Sequence, residues 1–258
     1  MLILLPPSEG KSAPLSGPPV DLAALSFPTL TRTRRRVLAA LITVSRADPT
    51  EAAAVLGLGP TQSTEVIANR GLRRRPCGPA ISVYSGVLYE ALDHTTMTAR
   101  TRGRLGEHVA ISSALWGLVR PDDLIPAYRL SGGVSLPGVG PLTTAWRTPV
   151  SSVIEDRDGL IVDLRSSTYV ALGPIPPTAA GRSVAVRVLQ ERAGTRTVVS
   201  HSNKATKGRI VRSLLDSRRT PSDPDALGAA LARAGYRVEA GPSSPGRPAV
   251  LDVIVDQP

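Results

Sequence analysis

The stretch Ile111–Leu130, ISSALWGLVRPDDLIPAYRL, determines how the rest of the chain is arranged. Its first residues continue the apolar run that starts at Val109, and this run predicts a short buried strand ending in two serines. The pair Trp116-Gly117 then predicts a turn. Pro121 cannot donate a hydrogen bond within a sheet, and it favours an extended conformation of the residue before it. We therefore expect an irregular connection beyond a buried strand.

This connection carries side chains of the kinds that contact ligands. Two arginines, a carboxylate, a tyrosine and a tryptophan fall within fourteen residues: Trp116, Arg120, Asp123, Tyr128 and Arg129. Ligand-contacting groups of α/β proteins usually lie on such connections. The alternative interpretation is a structural loop held together by Arg–Asp pairs.

Two further apolar runs, 1–5 and 159–164, predict buried strands that lead directly into polar residues. After the first run, backbone N–H groups near Gly10, together with Lys11, are suited to hold an anion, although the spacing is not that of a Walker A motif. Strands that end at one edge of a sheet bring their polar residues into one cleft. The cleft is then predicted to contain Ser8, Glu9, Lys11, Ser112, Ser166, Ser167 and Tyr169.

A set of helices is predicted between residues 31 and 75. Residues 31–48 form an apolar stripe at helical spacing, with Thr31 or Thr33 as the N-cap. Residues 49–72 then predict two short helices joined by a tight turn at Gly57 and Gly59. In helix-hairpin-helix proteins such a turn lies against a DNA phosphate, with basic residues alongside, here Arg73, Arg74 and Arg75. Glycine turns of this kind also join helices in proteins that do not bind DNA.

The helix predicted after residue 200, HSNKATKGRIVRSLLDS, has an unusual start. With Ser202 or Asn203 as its cap, Lys204, Lys207 and Arg209 crowd its N-terminal end, where cations are mildly unfavourable. A bound anion would remove that conflict.

The remaining patterns complete the fold class. Residues 79–93 predict a strand, a break and a helical turn; 183–200 predict a β-hairpin; 224–234 predict a helix; 236–239 and 249–255 predict closing strands. Together these elements predict an α/β (α+β) fold with a mixed β-sheet flanked by helices, in which residues 1–258 form a single domain.

Composition and charge narrow the function classes. The net charge is +10, which favours polyanionic partners, nucleic acid first. Only 3% of the residues are aromatic, which disfavours base stacking as the binding mode. One cysteine and three histidines predict no metal site, no cofactor and no direct handling of iron, and the single cysteine fits a reducing cytoplasm. No apolar run is long enough to span a membrane, and the N-terminus is not a signal peptide.

The lysines stand out because 28 of the 31 basic residues are arginines. Lysine offers an ammonium group whose pKa can be tuned, whereas the arginine charge is fixed. The three lysines, Lys11, Lys204 and Lys207, therefore mark positions where arginine would not serve the same purpose.

Several motifs occur in an order that resembles a known family: MLILLPPSEGK, YSGVLY, SSALWGLVRPDDLIPAYRL, DLRSSTY, SHSNKATKGR and a late Gly-Tyr before a serine-rich turn. Over nearly its whole length the chain resembles the YaaA family of peroxide-stress-response proteins, of the UPF0246 type. The resemblance implies a cytoplasmic protein that binds DNA and limits free iron and oxidative DNA damage. It also implies a helix-hairpin-helix element at Leu56–Ile67 and a basic cleft formed by Lys11, Arg120, Arg129, Lys204, Lys207 and Arg209.

Two functions remain open. The first is sequence-nonspecific DNA binding through phosphate contacts, with basic residues in a stripe that includes residues 70–75. The second is an enzyme acting on the glycosidic bond, or a related centre, of a nucleotide-like or nucleoside-like small substrate in a closed pocket. Its catalytic residues would be Glu9, Asp123 and Tyr128, with Lys11, Arg120 and Lys204 around an anionic group. A structural Ser/Tyr/Arg network without chemistry is the third interpretation.

Overall fold

The computed structural model describes residues 1–59, 62–192, 195–197, 200–242 and 244–256. Helices are numbered α1 to α11 and strands β1 to β12 in chain order. The strands are β1 Leu2–Leu5, β2 Gly78–Pro79, β3 Val109–Ser113, β4 Gly117–Val119, β5 Leu124–Ile125, β6 Ser135–Leu136, β7 Gly140–Pro141, β8 Ile161–Asp163, β9 Ser183–Arg192, β10 Thr195–Thr197, β11 Arg237–Ala240 and β12 Ala249–Asp256. The helices are α1 Thr31–Arg46, α2 Pro49–Leu56, α3 Ser63–Asn69, α4 Ala80–Val83, α5 Val87–Leu92, α6 Ala99–His108, α7 Leu142–Glu155, α8 Ser167–Ala171, α9 Pro177–Ala180, α10 Ser200–Asp216 and α11 Pro224–Arg233.

A single large sheet organises the described part of the chain, in the order β11-β12-β9-β8-β1-β3-β4, with β10 paired to β9. The five strands from β12 to β3 run parallel to their neighbours, and the outer pairs β11–β12 and β3–β4 are antiparallel. Every residue of β1, β3 and β8 is buried, as expected for parallel strands covered on both faces. The predicted α/β class with a mixed sheet flanked by helices is confirmed.

The helices pack in groups against this sheet. Helix α10 packs against α5, α6 and strand β9. Helix α11 contacts both α10 and β11. Helices α1, α2 and α3 contact one another, and α7 packs against α1 and β4. The buried apolar side chains form one continuous cluster from Leu2 to Val253, so these groups share a core.

Local structure departs from the sequence patterns in three places. Helix α10 begins at Ser200, so Ser202 and Asn203 lie inside the helix and the predicted capping role of these two residues is wrong. Residues 80–83 form the short helix α4, whereas the apolar pattern predicts a strand there; β2 covers only the two preceding residues. Helix α1 begins after Leu30 without a side-chain cap, so the predicted capping role of Thr31 or Thr33 is wrong. A 3-10 turn at Pro28–Leu30 leads straight into α1, which leaves no extended residue at the N-cap position.

Among the described residues, the structure contains no helix with both the length and the apolar character that a membrane crossing requires.

Candidate functional site

A large pocket lies where the central strands end. Strand β8 stops at the level of Ala185 in the register of the sheet and β1 stops one residue further, whereas β9 and β12 continue beyond both. The cavity above this step has a volume of about 980 Å³, which is within the usual range for a small-molecule site. The carboxyl ends of parallel strands are the usual place for ligands in open α/β sheets. We refer to this cavity as the strand-end pocket.

The walls of the strand-end pocket come from five segments. Two are loops with adjoining elements, namely the loop after β1 and the loop that leads into β12, and the other three are the start of α5, the stretch from β8 through α8 to Ile175, and the middle of β9 with the first turns of α10 packed beside it. Among the residues predicted for the cleft, the pocket is lined by Ser8, Glu9, Ser166, Ser167, Tyr169, Lys204 and Lys207.

The acidic groups in the pocket already have cationic partners. Asp163 accepts from Nε and Nη2 of Arg165 at 2.9 and 2.7 Å, and both side chains are buried. Glu9 Oε2 lies 2.9 Å from Nη1 of Arg129. Lys207 Nζ donates to the Leu164 carbonyl at 2.9 Å, and burial lowers its pKa although Asp163 opposes the shift. Lys204 is exposed at the same wall.

Lys11 lies behind the β1 loop in a ring of polar and aromatic groups. Its Nζ donates to the Ser8 carbonyl at 2.9 Å and lies 3.4 Å from the Glu9 carbonyl. It is 4.4 Å from the centre of the Tyr128 ring and 5.6 Å from that of Tyr84. Desolvation by burial lowers the pKa of Lys11 to about 8, an effect that the nearby Glu9 opposes. We call Lys11, Arg129, Tyr84 and Tyr128 the Lys11 cluster.

Hydroxyl groups connect the Lys11 cluster to the sheet. Tyr84 and Tyr128 share a hydrogen bond of 2.9 Å between their hydroxyls, and the Tyr128 hydroxyl is 2.7 Å from Ser113 Oγ. Burial raises the pKa of both tyrosines, to about 12 for Tyr84. Tyr89 donates to the Pro6 carbonyl at 2.7 Å and stacks on Tyr84. Four of the five tyrosines in the chain, Tyr169 included, therefore lie at this end of the sheet.

Arg129 is fixed by helix α3. Asn69 accepts from the Arg129 backbone N–H at 2.9 Å and donates to its carbonyl at 2.8 Å. Glu65 Oε2 lies 3.1 Å from Arg129 Nε as an ion pair without hydrogen-bond alignment. With Glu9 on the other side, Arg129 joins α3 to the β1 loop.

Arg120 and Asp123 lie at the other end of the strands, away from the strand-end pocket. Strand β4 runs antiparallel to β3, so the chain returns to the beginning of β3 before it reaches them. Arg120 donates to the carbonyls of Glu107 and Val109 at 2.8 and 2.9 Å. The Asp123 carboxylate accepts from Ser26 N, Ser26 Oγ and Arg120 N. The structure therefore does not bring Arg120 and Asp123 together with Glu9. The contacts of both residues are with the backbone and with Ser26, as expected of a structural loop.

Other predicted residues also lie outside the pocket. Tyr128 is buried in the Lys11 cluster and does not line the cavity. Ser112 is 2% exposed, and its hydroxyl has no hydrogen-bond partner among the described residues. Arg209 is exposed on α10 beyond the pocket wall.

The turn between α2 and α3 directs its amides inward. The N–H of Gly57 bonds to the carbonyl of Ala54, that of Leu58 to Ala53, and that of Gly59 to the Gln62 side chain. Gly57 ends α2 with a φ of 65°. Residues 60 and 61 lie outside the described residues. Arg73 and Arg74 are exposed, and Arg75 donates to the Ala68 carbonyl at 3.1 Å.

Sequence patterns missed several residues of the site. Arg187 lines the pocket from the middle of β9, where it pairs with Asp252 at 2.7 Å. Arg247 lines it from the loop before β12, and Glu65 holds Arg129 from α3. An arginine within a strand and a glutamate on a short helix carry no distinctive local signal. Their positions depend on pairing between distant segments.

Known proteins resemble this chain over its full length. A family model described as "Peroxide stress protein YaaA" matches residues 1–241. A UPF0246 protein of Streptomyces coelicolor is 46% identical and covers 100% of this chain and 99% of its own. A UPF0246 protein of Corynebacterium efficiens is 42% identical over 99% of this chain and 100% of its own. The chain therefore belongs to the YaaA family of peroxide stress proteins.

Proposed function

We propose that the strand-end pocket binds a small anionic ligand of nucleotide size, and that this binding underlies the role of the chain in peroxide stress. The observation that carries the proposal is the pairing of charges in the pocket. The carboxylates of Glu9 and Asp163 are each bonded to an arginine, whereas Lys204 and Lys207 have no carboxylate within ion-pair distance among the described residues. The remaining charge in the cavity is positive, which favours an anion.

The shape and lining of the pocket support a ligand with an apolar, flat portion. The lining includes a set of apolar side chains, which are Pro7, Val170, Pro174, Ile175, Val186, Pro248 and Val250. Lys204 and Lys207 stand together on α10, one turn apart, in its second and third turns. A ligand with a planar apolar group and an anionic end, such as a nucleotide, matches both halves of the cavity.

Among the three residues proposed for catalysis, Glu9 alone lines the pocket. Its carboxylate is half-exposed and is oriented by Arg129, so it can contact a bound ligand. If the protein is an enzyme, Glu9 is the group that we assign to proton transfer or nucleophilic attack. Asp123 and Tyr128 are left out of this assignment because of their positions.

Isothermal titration calorimetry with adenosine monophosphate, adenosine diphosphate and adenosine tests the proposal. We expect the two nucleotides to bind more tightly than the nucleoside. Lys204→Ala and Lys207→Met should each weaken nucleotide binding by about tenfold or more, since hydrogen bonds to charged groups contribute ~1.5–3 kcal/mol.

Arg218→Ala/Arg219→Ala is the matched control for this titration. Both arginines are exposed just after α10, more than 20 Å along the helix from Lys204, as about 1.5 Å per residue implies. The double variant removes two positive charges and should leave the affinity unchanged. Equal losses in the control and the lysine variants, or no binding of either nucleotide, would overturn the proposal.

DNA binding is the second candidate, and the exposed arginines after α3 favour it. The side chains of Arg73 and Arg74 form no ion pair or hydrogen bond with other described residues, and the net charge is +10. Because the described amides of the α2–α3 turn are bonded internally, phosphate contacts would come from arginine side chains rather than from the turn. Such binding would be insensitive to DNA sequence.

A salt series with a fluorescent DNA duplex tests this second function. Replacing both Arg73 and Arg74 by alanine should weaken binding and make the plot of log K against log salt shallower by about 2, at ~0.9 per lost phosphate contact. Arg218→Ala/Arg219→Ala again controls for net charge. A slope that is the same in both double variants would show that these two arginines make no DNA contact.

A further inference from the structure

Arg187 is a cation in the wall of the strand-end pocket that is held along one side only. Its Nε and Nη2 donate to the two carboxylate oxygens of Asp252, each at 2.7 Å. The Asp252 side chain is 8% exposed, whereas that of Arg187 is 43% exposed. Among the described residues, neither Nη1 nor the second N–H of Nη2 has an acceptor. The end of the guanidinium, between Nη1 and Nη2, is therefore available for a second two-point contact.

The pair with Asp252 fixes the direction in which Arg187 presents this free end. Ala185 and Val250 stand two residues before Arg187 and Asp252 and are paired in the same register, so all four side chains lie on one face of the sheet. Arg187, Ala185 and Val250 line the pocket. An ion pair with a half-exposed arginine contributes little to stability. Its main effect is to hold the guanidinium in one orientation beside an apolar part of the cavity, in the geometry that suits a phosphate.

The cation Lys207 is anchored on a different strand. Its Nζ donates to the carbonyl of Leu164, the residue directly after β8, whereas Asp252 belongs to β12. Strand β9 lies between β8 and β12, and the registers place Leu164 and Asp252 at nearly the same height. The two anchors are thus two strand spacings apart, about 10 Å at ~4.8 Å per strand. Because Asp252 holds the guanidinium of Arg187 on the β12 side, one phosphate group does not reach both cations.

We propose that the strand-end pocket binds a ligand with two separated phosphate groups, one at Lys204 and Lys207 and the other at Arg187, of the class of the nucleoside 3′,5′-bisphosphates. The ribose separates the two phosphates of such a molecule, whereas those of a nucleoside diphosphate share a bridging oxygen and lie too close together. The cavity volume of about 980 Å³ is at the upper end of the range for small-molecule sites, so it has room for this ligand.

The inference rests on the proposed function for the position at Lys204 and Lys207. It adds Arg187 as a binding residue and Asp252 as the residue that positions Arg187.

Isothermal titration calorimetry with adenosine 3′,5′-bisphosphate and adenosine diphosphate tests the inference on the unmodified protein. The two ligands carry the same nucleoside and the same number of phosphates, and they differ in where the second phosphate is attached. We expect the bisphosphate to bind at least about tenfold more tightly, as one further contact between charged groups provides.

A double variant shows whether Arg187 makes the difference. Arg187→Met/Asp252→Asn removes both charges of the pair, so no unpaired carboxylate is left in the pocket. It should reduce the affinity for the bisphosphate to that for the diphosphate, and change the affinity for the diphosphate by less than about twofold, because Lys204 and Lys207 stay in place. Diphosphate binding also reports that the variant is folded.

The single variant Asp252→Asn tests the positioning role. It keeps the charge of Arg187 and weakens the contact that orients it, so the affinity for the bisphosphate should fall more than that for the diphosphate. A purely structural role of the pair would weaken both ligands equally.

The outcomes separate the inference from the proposed function. If the diphosphate binds and the bisphosphate binds no more tightly, or if the double variant weakens both ligands equally, the inference is overturned and the proposed function stands. If adenosine monophosphate, the diphosphate and the bisphosphate all fail to bind, the proposed function fails and the inference fails with it. The comparison on the unmodified protein decides even where a variant does not fold.

Discussion

At the scale of single residues, arginine has two different roles in this chain. Arg34 belongs to a run of basic residues typical of a solvated helix end, yet it is fully buried. It donates to the carbonyls of Trp116, Ser26 and Leu118 at 3.0, 2.7 and 2.7 Å. Arg34 thus joins the segment before α1 to the turn between β3 and β4, whereas Arg35 and Arg36 are exposed.

Arg34→Met should destabilise the protein strongly. Removing the donor takes a hydrogen-bond partner from three buried carbonyls, each at a cost of about 1–3 kcal/mol, so we expect a total loss of at least about 3 kcal/mol. Arg35→Met, one residue further and exposed, should change stability by less than about 0.5 kcal/mol. Urea unfolding of both variants measures the difference, and comparable values for the two would contradict this role of Arg34.

The lowered pKa of Lys11 should make the stability of the protein depend on pH. Folding lowers its pKa from 10.5 to about 8, so between these values the unfolded chain binds more protons than the folded chain. Stability therefore rises with pH through this window, whereas below it Lys11 destabilises the fold by a constant amount that no longer depends on pH. Lys11→Met should stabilise the protein at pH 7 by about 1–3 kcal/mol, the lower value allowing for solvent screening. The stabilisation by Lys11→Met should be smaller at pH 9.5 than at pH 7. Urea unfolding at both pH values measures it, and an equal stabilisation at both would contradict a lowered pKa of Lys11.

At the scale of elements, the crossing of α10 and α5 positions the pocket lysines. A Cβ atom at Gly208 would lie 2.2 Å from the Leu88 carbonyl oxygen and 3.0 Å from Ala91 Cβ. Only glycine permits this close approach, which sets Lys204 and Lys207 against the pocket wall.

Gly208→Ala should therefore move α10 away from α5. We expect a loss of about 1–3 kcal/mol in the free energy of unfolding, typical of overpacking, together with weaker nucleotide binding. Gly228→Ala on α11 is the control, because the nearest atom to its added Cβ would be 3.9 Å away. That variant should gain up to about 1 kcal/mol from helix propensity. Thermal unfolding of the pair tests this, and a stable Gly208→Ala protein would refute the tight crossing.

Local patterns predict the elements of this fold well, and their arrangement less well. The buried strands β1, β3 and β8 follow from apolar runs, and α1, α10 and α11 follow from apolar stripes at helical spacing. The prediction fails at Arg120 and Asp123 because the reversal into β4 carries them to the other end of the strands. Whether a short strand pairs parallel or antiparallel depends on distant segments rather than on its own residues.

At the scale of the whole molecule, the two rare residue types lysine and tyrosine lie together at one end of the strands of the sheet. The three lysines and four of the five tyrosines lie near the ends of β1 and β8, in a chain that otherwise relies on arginine and aliphatic side chains. The lysines could be singled out from composition, and the serine-rich strand ends could be found from their motifs. The pairing of Glu9 with Arg129 could not, because residues 120 positions apart meet only after folding.

The most direct test of an anionic ligand at Lys204 and Lys207 is nuclear magnetic resonance of protein labelled with ¹³C at the lysine ε carbon. The chain should give one ε-methylene resonance for each of its three lysines. On titration with adenosine mono- and diphosphate, we expect saturable shifts of the Lys204 and Lys207 resonances at a ratio of one nucleotide per chain. Resonances that stay unmoved with both nucleotides, or that drift equally and without saturation, would contradict it.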